Sequence, residues 1–265
     1  MDKIKEYFNV YKSAFKLNIK SIMIYDADFI IGIIAMIIKT FINFFMLLIL
    51  FRVITNINGW DFNHILFIYG FSTTSFAIWH CFFINTITIP YYIKTGEFDR
   101  FLSRPYNPLF LIMIEGFDED GWGELIFGII VSVISIIRLN IASYILLFLP
   151  IMWFASSLIY AGISIMLSII SFFTIDNIDI TDITLQLNNY SKYPLDIYSK
   201  TLKIIFTFVF PIGFASYYPS LMFIDISVKN RILLIICIVA ICILFFALSC
   251  YIWNKSLKKY TSSGY

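Results

Sequence analysis

The chain has 265 residues, of which 60% are apolar and 14% charged, with a formal net charge of +2 and a mean hydropathy of +0.86. Soluble domains hold about 45–50% apolar and about 25% charged residues, so an ordinary soluble enzyme and a nucleic-acid-binding module are both excluded in favour of a membrane-embedded chain. The expected class is all-α and polytopic, a single transmembrane domain over residues 1–265.

In chain order, residues 1–28 come first. Ile4, Phe8, Tyr11, Phe15, Ile19 and Ile22 recur at three- and four-residue spacing with lysines between them. This is the pattern of a basic amphipathic helix lying in the membrane interface. The late apolar run and the absence of a small-residue cleavage site argue against a signal peptide. A crossing helix needs about 20 mostly apolar residues, and six segments qualify: 29–51, 62–89, 123–137, 141–173, 202–223 and 232–253. Only Arg138-Leu139-Asn140 separates the third from the fourth, which predicts a tight helical hairpin. Residues 90–122 form a charged loop containing "GEFDRFLSRPYNP" (Gly96–Pro108) and an acidic island at Asp118–Asp120. Residues 176–200 are read as a solvated loop. Asp176, Asp179 and Asp182 recur there every third residue, but without the glycine and terminal glutamate of a calcium loop. In the fifth span, Pro211, Gly213 and Pro219 predict a kink or re-entry near the outer leaflet, with Tyr217 and Tyr218 at the interface.

Lysines and arginines are distributed unevenly. Lys3, Lys5, Lys12, Lys16, Lys20, Lys94, Arg100, Arg104, Lys192, Lys200, Lys203, Lys255, Lys258 and Lys259 fall on one side of the six-span arrangement. Arg52, Arg138, Lys229 and Arg231 fall on the other. The positive-inside rule then puts both termini in the cytoplasm, as does an even number of spans. The abundance of Ile, Phe, Lys and Asn suggests an AT-rich bacterial genome, hence a bacterial cytoplasmic membrane.

No catalytic constellation emerges. There is no HxxxH metal spacing, no GxSxG elbow and no GxxxxGK[ST] phosphate loop, so no cofactor or metal is expected on this chain. Cys81, Cys237, Cys242 and Cys250 sit in apolar runs and read as packing residues. His64 is expected near the outer mouth of the second span and His80 deeper within it. Intramembrane polar side chains are costly and therefore functional candidates: Lys39, Asn43, His80 and Asn85 are a possible translocation path. The alternative is that Lys39 snorkels and the amides bond across a helix interface. Ser157, Ala161, Ser164 and Ser168 form a small-residue stripe read as a packing seam.

Three segments carry a family resemblance. "KTGEFDRFLSRPYNPLF" (Lys94–Phe110) resembles the cytoplasmic-loop signature of a group of bacterial ABC-2-type permeases: a basic residue, Gly-Glu, an apolar residue, Asp, then Leu, Arg-Pro and Asn-Pro-Leu-Phe. "YPLDIYSKTLKIIFTFVFPIGFASYYPS" (Tyr193–Ser220) is similar to the group's second signature, and "WNKSLKKYTSSGY" (Trp253–Tyr265) to its ending. Ser256 replaces a usual glycine, and the acidic island is unusual. The resemblance implies six spans per subunit, a second permease subunit (identical or different) and two copies of a separate P-loop ATPase that binds ATP and magnesium. It also implies that the loop after the second span docks on that ATPase. Gly96, Glu97, Phe98, Asp99, Arg100, Phe101, Arg104 and Pro105 are the coupling residues on this reading. The charges would meet the partner, Phe98, Phe101 and Leu102 would supply an apolar anchor, and the prolines would fix the angle of a short helix. The expected function is that of an ATP-driven exporter's permease, itself not an enzyme. The alternative is an ATPase-independent secondary transporter or channel, with Lys39 and His80 as ion-coupling groups. Aromatic-rich spans would suit a hydrophobic or amphipathic cargo, and lipid anchoring explains those aromatics equally well.

Overall fold

The computed structural model describes residues 2–22, 26–116, 118, 120–174, 178–225 and 230–261. Asp176, Lys229, Glu119 of the acidic island and the last four residues of the C-terminal motif lie outside the described residues, as do the side chains of Ile4 and Ile22. The elements are α1 (Asp2–Ile22), α2 (Asp26–Val53), a two-residue hairpin of β1 (Asn56–Ile57) and β2 (Trp60–Asp61), α3 (Phe62–Phe83), α4 (Ile89–Thr95), α5 (Asp99–Leu102), α6 (Pro108–Met113), α7 (Asp120–Leu139), α8 (Ser143–Leu146), α9 (Leu149–Ser168), α10 (Asp182–Ser191), α11 (Lys200–Ile204), α12 (Tyr217–Ile224) and α13 (Arg231–Leu257). Among the described residues five stretches are long and apolar enough to cross a membrane: Phe29–Val53, Phe62–Thr95, Asp120–Leu139, Leu149–Phe172 and Arg231–Leu257. The chain is a multi-pass, all-α membrane protein.

The centre of the bundle is α3, with α7, α9 and α10 around it; α2 lies outside α7 and α13 outside α9. Close approach of α3 to α7 is possible because small residues meet. A Cβ on Gly70 would fall 2.7 Å from the Ser132 amide nitrogen, and one on Gly128 would fall 2.8 Å from the Thr74 amide nitrogen. Apolar helices gain nothing from leaving lipid for one another, so intimate backbone packing supplies the association energy. The stripe on α9 is a seam as expected: Ser164 Oγ bonds Thr86 Oγ1 at 2.6 Å, and α13 packs over Gly162 through Phe245 and Ser249. Asn140 turns the α7–α8 hairpin at φ +50°. The fourth apolar stretch is interrupted, with α8 preceding the long helix that starts at Leu149. All four cysteines are free.

Helix α1 and the C-terminal end of α13 lie at one end of the bundle, called the terminal end. There α1 packs on the 98–115 loop and Trp253 on Phe98. The opposite, far end carries the β-hairpin, Asn140 and the start of α13.

The fifth span is where sequence and structure part. Residues 176–200 were expected to be a loop on the terminal side, yet residues 178–200 run the length of α3. Thr181 Oγ1 donates to the Ile87 carbonyl (3.0 Å), Ser191 Oγ bonds Ser72 Oγ and Tyr160 Oη (both 2.7 Å), and the Asp196 carbonyl accepts from Asn58 Nδ2 in the far-end hairpin (2.8 Å). The 22 residues of α3 rise about 33 Å, a bilayer core's thickness, so this polar segment makes the fifth crossing. Residues 202–223, expected as that span, instead form two helical pieces, Lys200–Val209 and Ile212–Ile224, bent by 77°. Lys203 pairs with Asp196 at the far end. The bend sits at mid-depth, where the Phe214 carbonyl accepts from Ser156 Oγ at 3.3 Å. Ile224 returns to the opening lined by Asp61, Arg138 and Asn140. The pair therefore enters and leaves from the far end. Hydropathy missed this because the crossing segment hides its hydroxyls and amides against other helices rather than exposing apolar side chains.

Candidate functional site

The loop after α4 begins with a left-handed glycine. Gly96 (φ +74°) caps α4 and donates its N–H to the Ile93 carbonyl, a conformation that only glycine adopts cheaply. The chain then turns inward. Phe98 and Phe101 are fully buried. Phe98 touches Phe172, Trp253 and Tyr260 with ring centroids 5.9, 6.3 and 5.0 Å away. Asp99 Oδ1 accepts from Tyr260 Oη (3.0 Å). Arg100 pairs with Glu115 and lies 4.7 Å from the Phe101 ring centroid. These contacts correct the expected roles: Phe98, Phe101, Asp99 and Arg100 root the loop in its own subunit. Glu97, Arg100, Leu102, Ser103, Arg104 and Pro105 are exposed, Arg100 as much as Glu97 even while it pairs with Glu115. Sequence reasoning saw an amphipathic turn and pointed its apolar side at a partner; the C-terminal helix, distant in sequence, covers that side instead.

The Asn-Pro pair of the loop has a structural task. Asn107 caps α6, its Oδ1 accepting from the Leu109 amide (2.9 Å), with Pro108 following, a favoured pairing because proline lacks the N–H that a first turn leaves unused. Its Nδ2 donates to Asn254 Oδ1 (2.8 Å), and its own N–H donates to Tyr7 Oη (3.2 Å). The loop motif and the C-terminal motif thus meet side by side. Helix α1 lies across the same surface. Tyr106 Oη donates to Glu6 (2.9 Å) and Asn18 Nδ2 to the Ile114 carbonyl (3.3 Å), while Phe8 and Ile19 stay exposed, as an interfacial helix requires. Truncating Phe98 to alanine is expected to cost about 3–5 kcal/mol of stability, in the range for buried aromatics. Leu102→Ala should stay within about 0.5 kcal/mol. Thermal melting of the two purified variants checks the contrast.

A polar cavity of about 480 Å³ lies between α2, α3, α7 and α10. Lys39 and Asn43 of α2, His80 of α3, Asp118, Asp120 and Glu124, and Asn188, Asn189 and Lys192 line it. His80 stands between two carboxylates, with Nε2 3.2 Å from Asp118 Oδ2 and Nδ1 3.4 Å from Glu124 Oε2. Burial opposes ionisation of Asp118, yet its contacts with His80 and the Asp120 amide hold its carboxyl below the ordinary carboxylate value. Three of the four proposed path residues, Lys39, Asn43 and His80, therefore share one cavity. Asn85 does not: it donates to the Gly116 carbonyl (2.6 Å) and ties the end of α3 to the loop. The acidic island, expected as part of the charged loop, supplies one partner of His80, Asp118.

Proline and glycine in the bent pair act unequally. Pro211 follows Phe210 at the break itself, and Gly213 lies in the short turn after it, packed under Leu195. Pro219 falls in the first turn of α12, where its missing N–H leaves no bond unmade. Tyr217, expected at the interface, is buried and donates to Asp196; its partner lies in the segment misread as a loop. Sequence reasoning also missed Glu124 and Lys192 as cavity residues. The intramembrane-charge rule that singled out Lys39 would have found Glu124, which sits inside the third apolar run.

Comparison with curated proteins and with solved structures gave no match. Comparison with protein families matched residues 19–264 to the family described as ABC-2 family transporter protein. That match takes in the five long apolar stretches, the rooted loop and the cavity, and the chain belongs to the ABC-2 family of transporter proteins as a membrane-embedded permease.

Proposed function

We propose that this chain is the permease subunit of an ATP-driven exporter in a bacterial cytoplasmic membrane. Its terminal end would face the cytoplasm, and the loop after α4 would receive a separate P-loop ATPase. The observation that carries the reading is the rooted loop. Glu97, Leu102, Ser103, Arg104 and Pro105 are exposed on a turn whose other side is sunk among Phe98, Phe101, Phe172 and Trp253. A push on that face is passed to α4, the end of α9 and α13 together, because packed aromatics transmit displacement rather than absorb it. The charge bias supports the orientation. Although Lys200 and Lys203 move to the far side, the α1 lysines, Lys94, Arg100, Arg104, Lys255, Lys258 and Lys259 remain at the terminal end. Two permease subunits, alike or different, would pair across the membrane over two ATPases, which would hold the ATP and magnesium.

Expression of the chain with the products of its neighbouring genes, followed by affinity purification, tests this reading. Co-elution of a P-loop ATPase whose hydrolysis drives transport in proteoliposomes is the expected result. Transport by the chain alone, driven by a proton gradient, would move the assignment to a secondary carrier using the His80–Asp118–Glu124 group.

A further inference from the structure

The cavity ends on a buried cation. Lys192 follows α10 and is only 5% exposed. Its ammonium lies 5.4 Å from the centroid of the Tyr69 ring. Among the described residues no carboxylate stands within ion-pair distance of it. Of the acids lining the cavity, Asp118 and Glu124 both face His80, and Asp120 makes no ion pair with Lys192 among the described residues. Measured along α3, the Tyr69 level is about 16 Å from the His80 level, so the lysine stands deep and the His80 cluster near the terminal end.

A second buried group lacks a partner at the same place. Asn188, one turn before Lys192, is 4% exposed and lines the cavity, and its side-chain oxygen has no hydrogen-bond partner. An amide can present either donor or acceptor to a ligand. On the open side, Lys39 and Asn43 of α2 are exposed, and Lys39 also makes no ion pair among the described residues. Outside its cavity face α2 is apolar and little buried, Ile42 and Met46 being exposed. A ligand that reaches the cavity along α2 therefore crosses apolar surface before it meets charge.

An ammonium at this depth costs several kcal/mol unless an opposite charge joins it. Lys192 and Lys39 converge on one cavity whose volume suits a small-molecule headgroup. We propose that Lys192 anchors the anionic group, phosphate or carboxylate, of an amphipathic ligand, and that Lys39 at the opening is the cation this group meets first. The proposal rests on the transporter reading only in calling that ligand a substrate.

The test titrates the purified full-length chain in nanodiscs with dodecyl phosphate, read by microscale thermophoresis. Saturable binding is expected. Lys192→Met should weaken it by about ten-fold or more, a modest share of what truncating one partner of a buried charge pair costs. Lys192→Arg, which keeps the charge, should stay within about three-fold. Inorganic phosphate added as a competitor separates the sources: displacement assigns the site to the anion itself, and no displacement assigns it to an anionic lipid or other amphiphile. Equal binding by Lys192→Met and the parent chain overturns the proposal. So does tighter binding of dodecyltrimethylammonium, which has the same tail and the opposite charge, because the carboxylates would then be the recognition group. That ranking is made on the unaltered chain and decides the matter even if Lys192→Met fails to fold. None of these titrations contains an ATPase, so a negative result removes the ligand assignment and leaves the coupling reading standing.

Discussion

Reversing two surface charges together, Glu97→Lys with Arg104→Glu, is expected to abolish ATP-dependent transport while leaving insertion and thermal stability unchanged. Both side chains are exposed. Arg104 makes no ion pair among the described residues, and Glu97 has only a 3.9 Å contact with Arg100, so little folding energy is lost, within about 0.5 kcal/mol. Against a complementary partner the same change sets like charges opposite one another, which costs several kcal/mol and lowers affinity by about 100-fold. Arg100 is left out of the variant because it holds Glu115 and stacks near Phe101. Arg100→Ala is the control that should loosen the loop itself. ATPase stimulation and transport measured in proteoliposomes decide the matter: full activity in the double variant would remove Glu97 and Arg104 from the contact.

Gly128→Val should have the largest effect on folding. A Cβ there would stand 2.8 Å from the Thr74 amide nitrogen and 2.7 Å from its hydroxyl. That hydroxyl is already held by the Gly70 carbonyl at 2.8 Å, so the obstacle is a rigid helix rather than a movable side chain. To admit valine, α3 and α7 must separate, which also strips Gly70 from Ser132. A cost of about 3 kcal/mol or more is expected, at the upper end for overpacking. Gly116→Ala is the matched control, since nothing lies within 4 Å of a Cβ at that position. Size-exclusion profiles and melting curves of the two variants should differ sharply; a normal profile for Gly128→Val would mean that the α3–α7 approach is looser than described.

Much of the charged loop was legible because its chemistry is local. The charges, the aromatics and the prolines that mark a short helix were read within a dozen positions, and the structure places α5 there; the left-handed turn at Gly96 and the cap at Asn107 were not read. The direction in which Phe98 and Phe101 point was not legible. Trp253 and Tyr260 cover Phe98, against which Phe101 packs, and nothing in the loop's own sequence announces a cover supplied more than 150 positions away. The cavity was half legible. Lys39, Asn43 and His80 stand out inside apolar runs, because a polar group in lipid is costly wherever the chain goes. Glu124, inside the third apolar run, could have been singled out by the same rule; Lys192 was assigned to a solvated loop, and only packing placed it in the cavity.

The sequence by itself determined the class, the terminal helix, four of the long spans nearly to their ends and the uneven distribution of lysines. Those properties depend on the transfer of side chains between water and lipid, which is summed residue by residue and needs no knowledge of neighbours. Tertiary structure alone decided which segment makes the fifth crossing. Residues 178–200 cross because Ser72, Tyr160 and Ser191 satisfy one another and Asn58 receives the far end, while the more apolar 202–223 turns back at Pro211. A polar segment becomes a crossing only when other helices already hold its hydrogen-bond partners at the right depth, and that is a property of the packed bundle.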